Sequence, residues 1–450
     1  MPAARPRLPA RLHPSARDLL EHHPGVVADL VAGLGSPLHL VWPQVFEDTA
    51  KHFLRTLHDA RVPGQVLFAK KANKARCFVQ RCASIGLGVD VASTPELERT
   101  LAAGVRGVDI GVSGPGKSRD LLELAMRCDA WLAMDGFSEL RHVIERARSL
   151  GMRARVLLRR RPDLDGQTHS RFGLNASETE DALRLCLEHA AQLKLEGFSF
   201  HLTGYSASQR TSMTRALIAD CLAARARGLS CDTIDIGGGF AVSYADPSDW
   251  ERFSSGLTPT DFHADKTFSG FYPYASQNSG PAMLAEILAA IGTELTKHDL
   301  RILLEPGRAL LDQSGVTAFR IQGVKDRRSS DGYALLTAEG MSFSLSEQWF
   351  GSEFLPDPIL LGPRHHDETF IACVGGASCL ESDMLSWRKI AFDRRVEVGD
   401  ILVYANTAGY QMDSNESPFH DLPLPRKVVV TTNTGSTPRW RLDEVADFDP

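Results

Sequence analysis

The stretch Asp235-Ile236-Gly237-Gly238-Gly239-Phe240 joins a short apolar run to three consecutive glycines. Glycine at the end of a strand lets the backbone turn tightly and bring several N–H groups to one oxyanion, usually a phosphate. A tight turn without any ligand is the alternative reading of a lone glycine triplet. The triplet therefore marks a candidate phosphate site that needs support from elsewhere in the chain.

A second apolar run, Ile302-Leu303-Leu304, ends in Glu305-Pro306-Gly307-Arg308. This segment supplies a carboxylate, another glycine and an arginine whose guanidinium can pair with a phosphate in a bidentate manner. Two neighbouring strands that end this way are typical of the phosphate corner of a TIM barrel, which is formed by the loops after strands seven and eight.

The chain ahead of Arg308 alternates strand-like runs with helical patterns. The predicted strands are 66–69, 88–92, 108–112, 130–134, 155–158, 197–202, 233–236 and 301–304. Eight such units over about 240 residues predict an α/β fold, a closed (β/α)8 barrel. A doubly wound open sheet is the competing fold, but its glycine motif would follow the first strand and not the seventh.

The predicted organisation has three parts: a tail and helical lead-in at 1–37, a barrel at 38–308 and a C-terminal β domain at 309–450. After Arg308 the β-type runs at 316–324, 333–337, 369–374, 401–405 and 427–432 follow one another without a long amphipathic helix. The strand at 38–42 is expected to join this β domain. Residues 1–17 have no apolar segment of the secretory type, so we expect a mobile tail there.

The seventh βα connection, residues 241–300, is unusually long. Long connections on the catalytic face of a barrel are commonly lids or specificity loops. The aromatic piece from Phe268 to Tyr274 is therefore either part of a lid or part of the core.

Composition excludes several classes of protein. The apolar fraction of 43% and the charged fraction of 24% are ordinary for a soluble globular protein. The net charge of −6 is spread along the chain, which argues against nucleic acid or an anionic membrane as a partner. The eight cysteines lack paired metal spacing, so we predict reduced thiols in the cytoplasm and no metal site.

Chemically active side chains follow the predicted barrel strands, where the active site of this fold lies. They are Lys70, Lys71, Asp90, Glu96, Arg159, His201, Glu305 and Arg308. A lysine near a phosphate corner indicates a Schiff base to pyridoxal phosphate or to another phosphorylated carbonyl, with a solvent-facing lysine as the alternative. The set as a whole supplies an amine, acids, an aromatic base and a phosphate cradle.

These residues belong to segments that occur in the order of a known family. The segments are Phe68-Ala69-Lys70-Lys71-Ala72-Asn73, Val89-Asp90-Val91-Ala92-Ser93, Ser170-Arg171-Phe172-Gly173, Phe200-His201, Asp235 to Phe240, Glu305 to Arg308, Cys379 and Ala408-Gly409-Tyr410. From about Leu38 to Val430 the chain resembles a divergent member of the fold type III pyridoxal-phosphate decarboxylases, the diaminopimelate/ornithine/arginine decarboxylase group. The resemblance implies an alanine-racemase-like barrel, a C-terminal β domain and pyridoxal 5'-phosphate as cofactor.

The resemblance also implies a role for each matching residue. Lys71 would hold the cofactor as a Schiff base, whereas Lys70 occupies a position that is usually apolar in the family. His201 would stack on the pyridine face, and Arg159 would lie beneath the ring. Asp90, together with Glu96, would order the lysine. The cofactor phosphate would be held by Gly237, Gly238, Gly239, Gly307, Arg308 and Tyr410.

Glu305 would pair with the pyridine nitrogen and keep it protonated, so that the ring can accept the electron pair released with CO2. Racemases with the same barrel carry an arginine at this place, so Glu305 favours decarboxylation over racemisation. Cys379 would come from the β domain of a second subunit and protonate the carbanion. The resemblance therefore implies a head-to-tail homodimer with shared active sites.

The histidine motif departs from the family pattern. It usually continues with Gly-Ser, and the serine contacts the phosphate, but here the segment reads His201-Leu202-Thr203-Gly204-Tyr205-Ser206. The role of that serine is therefore vacant or passes to Thr203 or Ser206.

The substrate motifs depart as well. An arginine that binds a substrate carboxylate in diaminopimelate decarboxylases is replaced by Ser346-Glu347, and Leu380 stands where an acid usually follows the cysteine. Both changes argue against diaminopimelate as the substrate. The candidate substrate-binding residues are Arg308, Glu381, Asp383 and Tyr410.

The predicted function is decarboxylation of an amino acid or amino acid conjugate of non-standard shape, as in specialised pathways of the siderophore type. The alternatives are a pyridoxal-phosphate-dependent racemase or epimerase and a catalytically decayed pyridoxal-phosphate-binding protein.

Overall fold

The computed structural model describes residues 7–164, 169–345, 351–362, 369–432 and 437–444. Ser346 and Glu347, at the place of the substrate arginine, lie outside these residues. None of the helices in the described part is long and apolar enough to cross a membrane.

Eight parallel strands close into a barrel in the order of the sequence, with the first strand paired to the last. They are β2 (Gly64–Ala69), β3 (Gly88–Val91), β4 (Ile110–Val112), β5 (Trp131–Met134), β6 (Ala154–Arg159), β7 (Leu193–Ser199), β8 (Thr233–Asp235) and β9 (Arg301–Leu304). The predicted (β/α)8 barrel is confirmed. Most strand residues are buried because side chains fill the barrel on one face and the surrounding helices cover the other.

The described residues form the following α-helices, some of which surround the barrel. They are α1 (Pro14–His22), α2 (Pro24–Leu34), α3 (Pro43–Asp59), α4 (Arg76–Ile85), α5 (Thr94–Ala102), α6 (Arg119–Arg127), α7 (Phe137–Leu150), α8 (Ala176–Glu188), α9 (Ala207–Ala226), α10 (Pro247–Gly256) and α11 (Pro281–Lys297). Their starts follow local signals. In α5, Ser93 is the cap, and its hydroxyl accepts a hydrogen bond from the Glu96 amide.

One barrel strand differs from its predicted bounds in a way that matters for the site. The sequence predicts a strand over 197–202, but β7 runs from Leu193 to Ser199. The alternation of Leu193 and Leu195 with charged residues belongs to the strand and not to the preceding helix. His201 therefore lies in the loop beyond the strand end, on the face where the active site forms.

Among the described residues, the second sheet has nine strands and contains β1, the first strand in the sequence. They are β1 (Leu38–Val41), β10 (Gly315–Lys325), β11 (Ala334–Ala338), β12 (Ile359–Leu360), β13 (Phe370–Gly375), β14 (Met384–Phe392), β15 (Ile401–Ala405), β16 (Arg426–Thr431) and β17 (Arg439–Leu442). β1 pairs with β10 on one side and with β16 on the other. The second domain is therefore built from both ends of the chain.

The sequence did not predict β14, which pairs antiparallel with β13. Its charged centre, Arg388-Lys389, masks the alternation. The Arg388 side chain is buried because its guanidinium lies over the Phe253 ring at 4.9 Å and donates to the backbone carbonyl of Leu355 at 2.8 Å. Only this long-range pairing reveals the strand.

The expected mobile tail at 1–17 is wrong for the described part of that segment. Leu8 is fully buried in the main hydrophobic core, and its carbonyl accepts a hydrogen bond from the Asp357 amide at 2.8 Å. The Arg11 amide donates to the Tyr244 carbonyl at 2.8 Å, and α1 begins at Pro14. The segment is held by contacts with distant parts of the chain, which local sequence does not show.

The aromatic piece of the long connection serves as both core and cavity wall. Tyr274 is fully buried, and its hydroxyl donates to the Glu353 carbonyl at 2.9 Å. Phe271 and Tyr272, by contrast, line the cavity at the end of the barrel.

His39 makes the stability of the fold depend on pH. It is fully buried in β1, and burial, reinforced by the nearby Lys427 charge, lowers the pKa of its imidazole to about 3. Its Nδ1 lies 2.9 Å from the Thr317 hydroxyl. Below the ordinary histidine pKa, His39 binds a proton in the unfolded chain but stays neutral in the folded chain. Folding stability therefore falls as the pH falls.

We expect His39 alone to remove about 2 kcal/mol of stability between pH 7 and pH 5. Urea unfolding at both pH values should show that the wild type loses free energy of unfolding between pH 7 and pH 5. The loss should be smaller by this amount in His39→Gln, which keeps a polar side chain but does not titrate. Equal pH dependence of the two proteins would contradict the prediction.

Candidate active site

The C-terminal ends of the barrel strands open into a cavity of about 500 Å³. Eight of the predicted site residues line it: Lys71, His201, Gly238, Gly239, Glu305, Gly307, Arg308 and Tyr410. An apolar wall is formed by Phe240, Phe271 and Tyr272. Residues from distant parts of the chain thus meet in one pocket with a polar floor and an aromatic side.

Lys71 lies in a short 3-10 turn directly after β2. Its Nζ is 3.4 Å from Oδ2 of the buried Asp90. Burial lowers the pKa of Lys71, but the carboxylates of Asp90 and Glu305 outweigh it and raise the pKa above its ordinary value. Lys70 is 2% exposed and does not line the cavity, so of these two amines only Lys71 faces the pocket.

The turn that carries Lys71 is tied to the second domain. The side-chain amide of Asn73 donates to the Ala408 carbonyl at 2.8 Å, and the Tyr410 amide donates to the Ala72 carbonyl at 2.8 Å. The loop after β15 therefore holds the lysine turn in register and delivers Tyr410 to the cavity.

Glu305 follows β9 and lies beside two other titratable groups. Its Oε2 is 3.8 Å from Nδ1 of His201. Burial raises the pKa of Glu305, but the neighbouring His201 and the Lys71 charge outweigh burial and lower it to about 2. The carboxylate is therefore ionised at neutral pH. Burial lowers the pKa of His201, which keeps its imidazole largely neutral.

Asp235 is a site residue that sequence reasoning quoted only as part of the glycine motif. It is buried at the end of β8, and its Oδ1 accepts the Gly237 amide at 2.8 Å. Burial, together with the charge of Glu305, raises its pKa well above the ordinary value. A hydrogen bond between the two carboxyl groups contributes to this shift. An acid two residues before the glycine triplet was the available signal.

The glycine triplet packs so closely that larger residues do not fit. A Cβ atom on Gly238 would lie 2.5 Å from the Glu305 carbonyl oxygen. Gly239 adopts a φ of 75°, in the left-handed region that favours glycine. The triplet therefore brings bare backbone to the cavity beside Glu305, as a phosphate cradle requires.

Arg308 is fixed on three sides. Its guanidinium lies 4.3 Å from the Tyr272 ring centre and 5.1 Å from the Tyr410 ring centre. Its Nη1 donates to the side-chain carbonyl of Gln411 at 3.0 Å. The arginine is thus held rigidly at the cavity wall between the long connection and the second domain.

Two predicted residues lie beside the cavity. Arg159 pairs with Asp135 at 2.8 Å and covers the Phe172 ring at 4.6 Å, outside the described lining. Glu96 accepts the Ala92 amide at 2.8 Å and so orders the end of β3. The structure places Asp90, and not Glu96, against Lys71.

Cys379 and the two acids after it lie in the second domain, outside the described cavity lining of their own subunit. Cys379 and Glu381 are exposed. Asp383 is buried, and its two carboxylate oxygens accept the amides of Ser342 at 2.8 Å and Ser378 at 3.0 Å. Asp383 therefore shapes the loop that presents Cys379, and the substrate roles of Glu381 and Asp383 stay predictions.

Comparison with known proteins identifies the chemistry of this pocket. Residues 46–312 match the family model of the pyridoxal-dependent decarboxylases, pyridoxal binding domain. The chain belongs to this family. It is a pyridoxal-phosphate-dependent carboxy-lyase, and the predicted resemblance is confirmed.

Individual relatives cover nearly the whole chain. It is 34% identical to the uncharacterised protein y4yA of Sinorhizobium fredii over 98% of this chain and 97% of that protein. It is 27% identical to the diaminopimelate decarboxylase of Pseudomonas aeruginosa over 79% of each chain. The structure of the Helicobacter pylori diaminopimelate decarboxylase shares the fold, with a TM-score of 0.75, 19% identity and coverage of 93% and 95%.

The cofactor of this decarboxylase is pyridoxal 5'-phosphate, and the pocket fits it. Lys71 supplies the only lysine amine of the described lining, Glu305 supplies a carboxylate for a ring nitrogen, and the glycine backbone supplies room for a phosphate. In the described part of the chain, no group of three or more His, Cys, Asp or Glu residues is placed to hold a metal ion.

Proposed function

We propose that this enzyme decarboxylates an amino acid or an amino acid conjugate other than meso-diaminopimelate, using Lys71, His201, Glu305 and Cys379. The observation that carries the proposal is the ionised Glu305 in the same cavity as Lys71. A carboxylate at this place suits a ring nitrogen that must stay protonated while an electron pair is released.

The cofactor, when bound, supplies an aromatic ring that accepts the electron pair left behind as CO2 departs. Lys71 would attach the cofactor through its Nζ, and Asp90 would hold that nitrogen in place. Glu305 would bind the proton of the ring nitrogen, and Asp235 and His201 would keep the Glu305 carboxylate oriented and ionised. His201 and Arg159 would contact the cofactor ring.

The cofactor phosphate would be held by Gly237, Gly238, Gly239 and Gly307, and Tyr410 would close the site. Tyr410 is placed for this role because a Cβ atom on Gly307 would lie 3.0 Å from its hydroxyl. Arg308, held between Tyr272 and Tyr410, is aimed at the phosphate or at a substrate carboxylate.

Cys379 acts in the active site of a partner subunit in a homodimer. Its exposure, and its position outside the described cavity lining of its own chain, support this assignment. The thiol then returns a proton from Sγ to the α-carbon of the substrate, and Glu381 contacts the substrate beside it. Reduced thiols in all eight cysteines support a cytoplasmic enzyme.

The substrate has a non-standard shape and belongs to a specialised pathway of the siderophore type. Leu380, in place of the usual acid, and Ser346-Glu347, in place of the usual arginine, support a substrate without the distal carboxylate of diaminopimelate. The aromatic wall of Phe240, Phe271 and Tyr272 supports a larger substrate that buries apolar surface.

The test is CO2 release by the purified holoenzyme from a panel of L- and D-amino acids, meso-diaminopimelate and citryl-diamino-acid conjugates. Release from one member other than meso-diaminopimelate supports the proposal and names the substrate. Release only from meso-diaminopimelate contradicts the substrate proposal. Exchange of the α-hydrogen without CO2 release contradicts decarboxylation and indicates a racemase.

Shared active sites predict that two inactive variants restore each other. Lys71→Ala and Cys379→Ala each disable every site of their own homodimer, but a mixed dimer contains one site with both residues intact. Refolding or co-expressing equal amounts is expected to recover up to about a quarter of wild-type activity, since half of the dimers are mixed and have one working site each.

The matched control is a mixture of Lys71→Ala with Glu305→Gln, whose changes lie in the same barrel. A mixed dimer of these two has no intact site, so its activity should stay at the level of the separate variants. Recovery in this control, or none in the Cys379→Ala mixture, would argue against a cysteine supplied by the partner subunit.

A further inference from the structure

Arg210 is a buried cation to which the described residues supply no counter-charge. It lies in the first turns of α9 and is fully buried. Its Nη2 donates to the Gly238 carbonyl, whereas Nε and Nη1 have no hydrogen-bond partner among the described residues. None of the carboxylates in the described ranges forms an ion pair with it. A buried charge left in this state is strongly unfavourable, so a counter-charge is expected from a bound group.

The position of Arg210 indicates which group supplies that charge. A Cβ atom on Gly239 would lie 2.5 Å from Nη2 of Arg210, so the guanidinium lies directly behind the glycine backbone that lines the cavity. Its carbon Cζ is 5.6 Å from the centre of the Phe240 ring, which closes its other side. The nearest place for an anion is therefore the pocket in front of the glycine triplet.

We propose that Arg210 positions the cofactor phosphate. It binds the Gly238 carbonyl and places a buried positive charge behind Gly238 and Gly239, the two glycines of the triplet that line the pocket. The proposal rests on the placement of the phosphate at the glycine triplet given above.

The test compares two ligands that differ only in the phosphate. Apoprotein is titrated with pyridoxal 5'-phosphate and with pyridoxal, and the absorbance of the bound ligand gives each Kd. Arg210→Met, which keeps an unbranched apolar stem and removes the charge, is expected to raise the Kd for pyridoxal phosphate about 10- to 100-fold and to leave pyridoxal nearly unchanged. Arg210→Lys should recover part of the loss.

Arg215→Met is the matched control, because Arg215 lies on the same helix with a side chain that is 49% exposed and paired with Glu294. It should bind both ligands as the wild type does. Equal weakening of both ligands by Arg210→Met would show a purely structural role and overturn the proposal, as would unchanged binding.

A second measurement covers the case in which Arg210→Met does not fold. Inorganic phosphate should raise the Tm of the wild-type apoprotein by mass action, and this rise should be smaller in Arg210→Lys. No rise in the wild type, or an equal rise in both, contradicts the proposal. These assays contain no substrate, so they are independent of whether the enzyme decarboxylates the compounds tested above.

The phosphate placement itself is checked with Gly238→Ala, whose Cβ would press on the Glu305 carbonyl. A larger rise in the Kd for pyridoxal phosphate than in the Kd for pyridoxal in this variant supports the placement. An unchanged ratio of the two Kd values would indicate that the phosphate binds elsewhere. The proposed role of Arg210 would then have no support.

Discussion

Replacing Lys71 with alanine is expected to lower CO2 release by at least about 10³-fold and to abolish the visible absorbance of the covalently held cofactor. Lys71 provides the one lysine amine of the described cavity lining, and Asp90 holds it at 3.4 Å. No other described lysine is placed to attach the cofactor there. Absorbance spectra and CO2 release of the purified variant are the measurements.

Lys70→Met is the matched control for this change. Lys70 is adjacent in sequence and 2% exposed, and burial lowers the pKa of its amine, but it does not line the cavity. Methionine has a similar length and avoids a large internal void. The variant should keep the cofactor absorbance. If Lys70→Met lost the cofactor absorbance and Lys71→Ala kept it, the result would show that Lys70 and not Lys71 holds the cofactor.

Replacing Glu305 with glutamine is expected to lower CO2 release by roughly 10² to 10⁴-fold while the cofactor stays attached to Lys71. The amide is isosteric with the carboxyl group but carries no charge to hold a proton on the ring nitrogen. It also removes the charge that raises the pKa of Asp235. CO2 release and exchange of the α-hydrogen with deuterium from the solvent should be measured in parallel.

The ratio of the two activities separates the competing functions. In Glu305→Gln, exchange should fall less than decarboxylation, because a weaker electron sink disfavours loss of CO2. Glu294→Gln, an exposed carboxylate on α11, is the control and should leave both activities unchanged. Undiminished CO2 release in Glu305→Gln would show that this carboxylate does not keep the ring protonated.

Much of the candidate site could be predicted because its chemistry lies in short local segments. The motif at Lys71, the glycine triplet and the segment at Glu305 each follow a strand with a strong apolar pattern. In a parallel barrel the ends of all strands meet on one face, so the sequence order alone predicts that these residues converge. The cavity lining bears out that convergence.

The roles of Asp235 and Arg210 could not be predicted in the same way. Asp235 is defined by its raised pKa beside Glu305, and Arg210 by burial behind the glycine backbone. Each property depends on neighbours that are far apart along the chain. A sequence pattern shows the residue type but not its desolvation or its missing partner.

By itself, the sequence determined the barrel, the order of its strands, the family and the lysine that faces the cavity, because hydrophobic periodicity and strand-end motifs are local signals. Only the tertiary structure decided that the segment around Leu8 is core, that β14 completes the second sheet and that Asp383 braces the Cys379 loop. These features arise from hydrogen bonds and packing between remote segments. Such contacts exist only once the chain has folded.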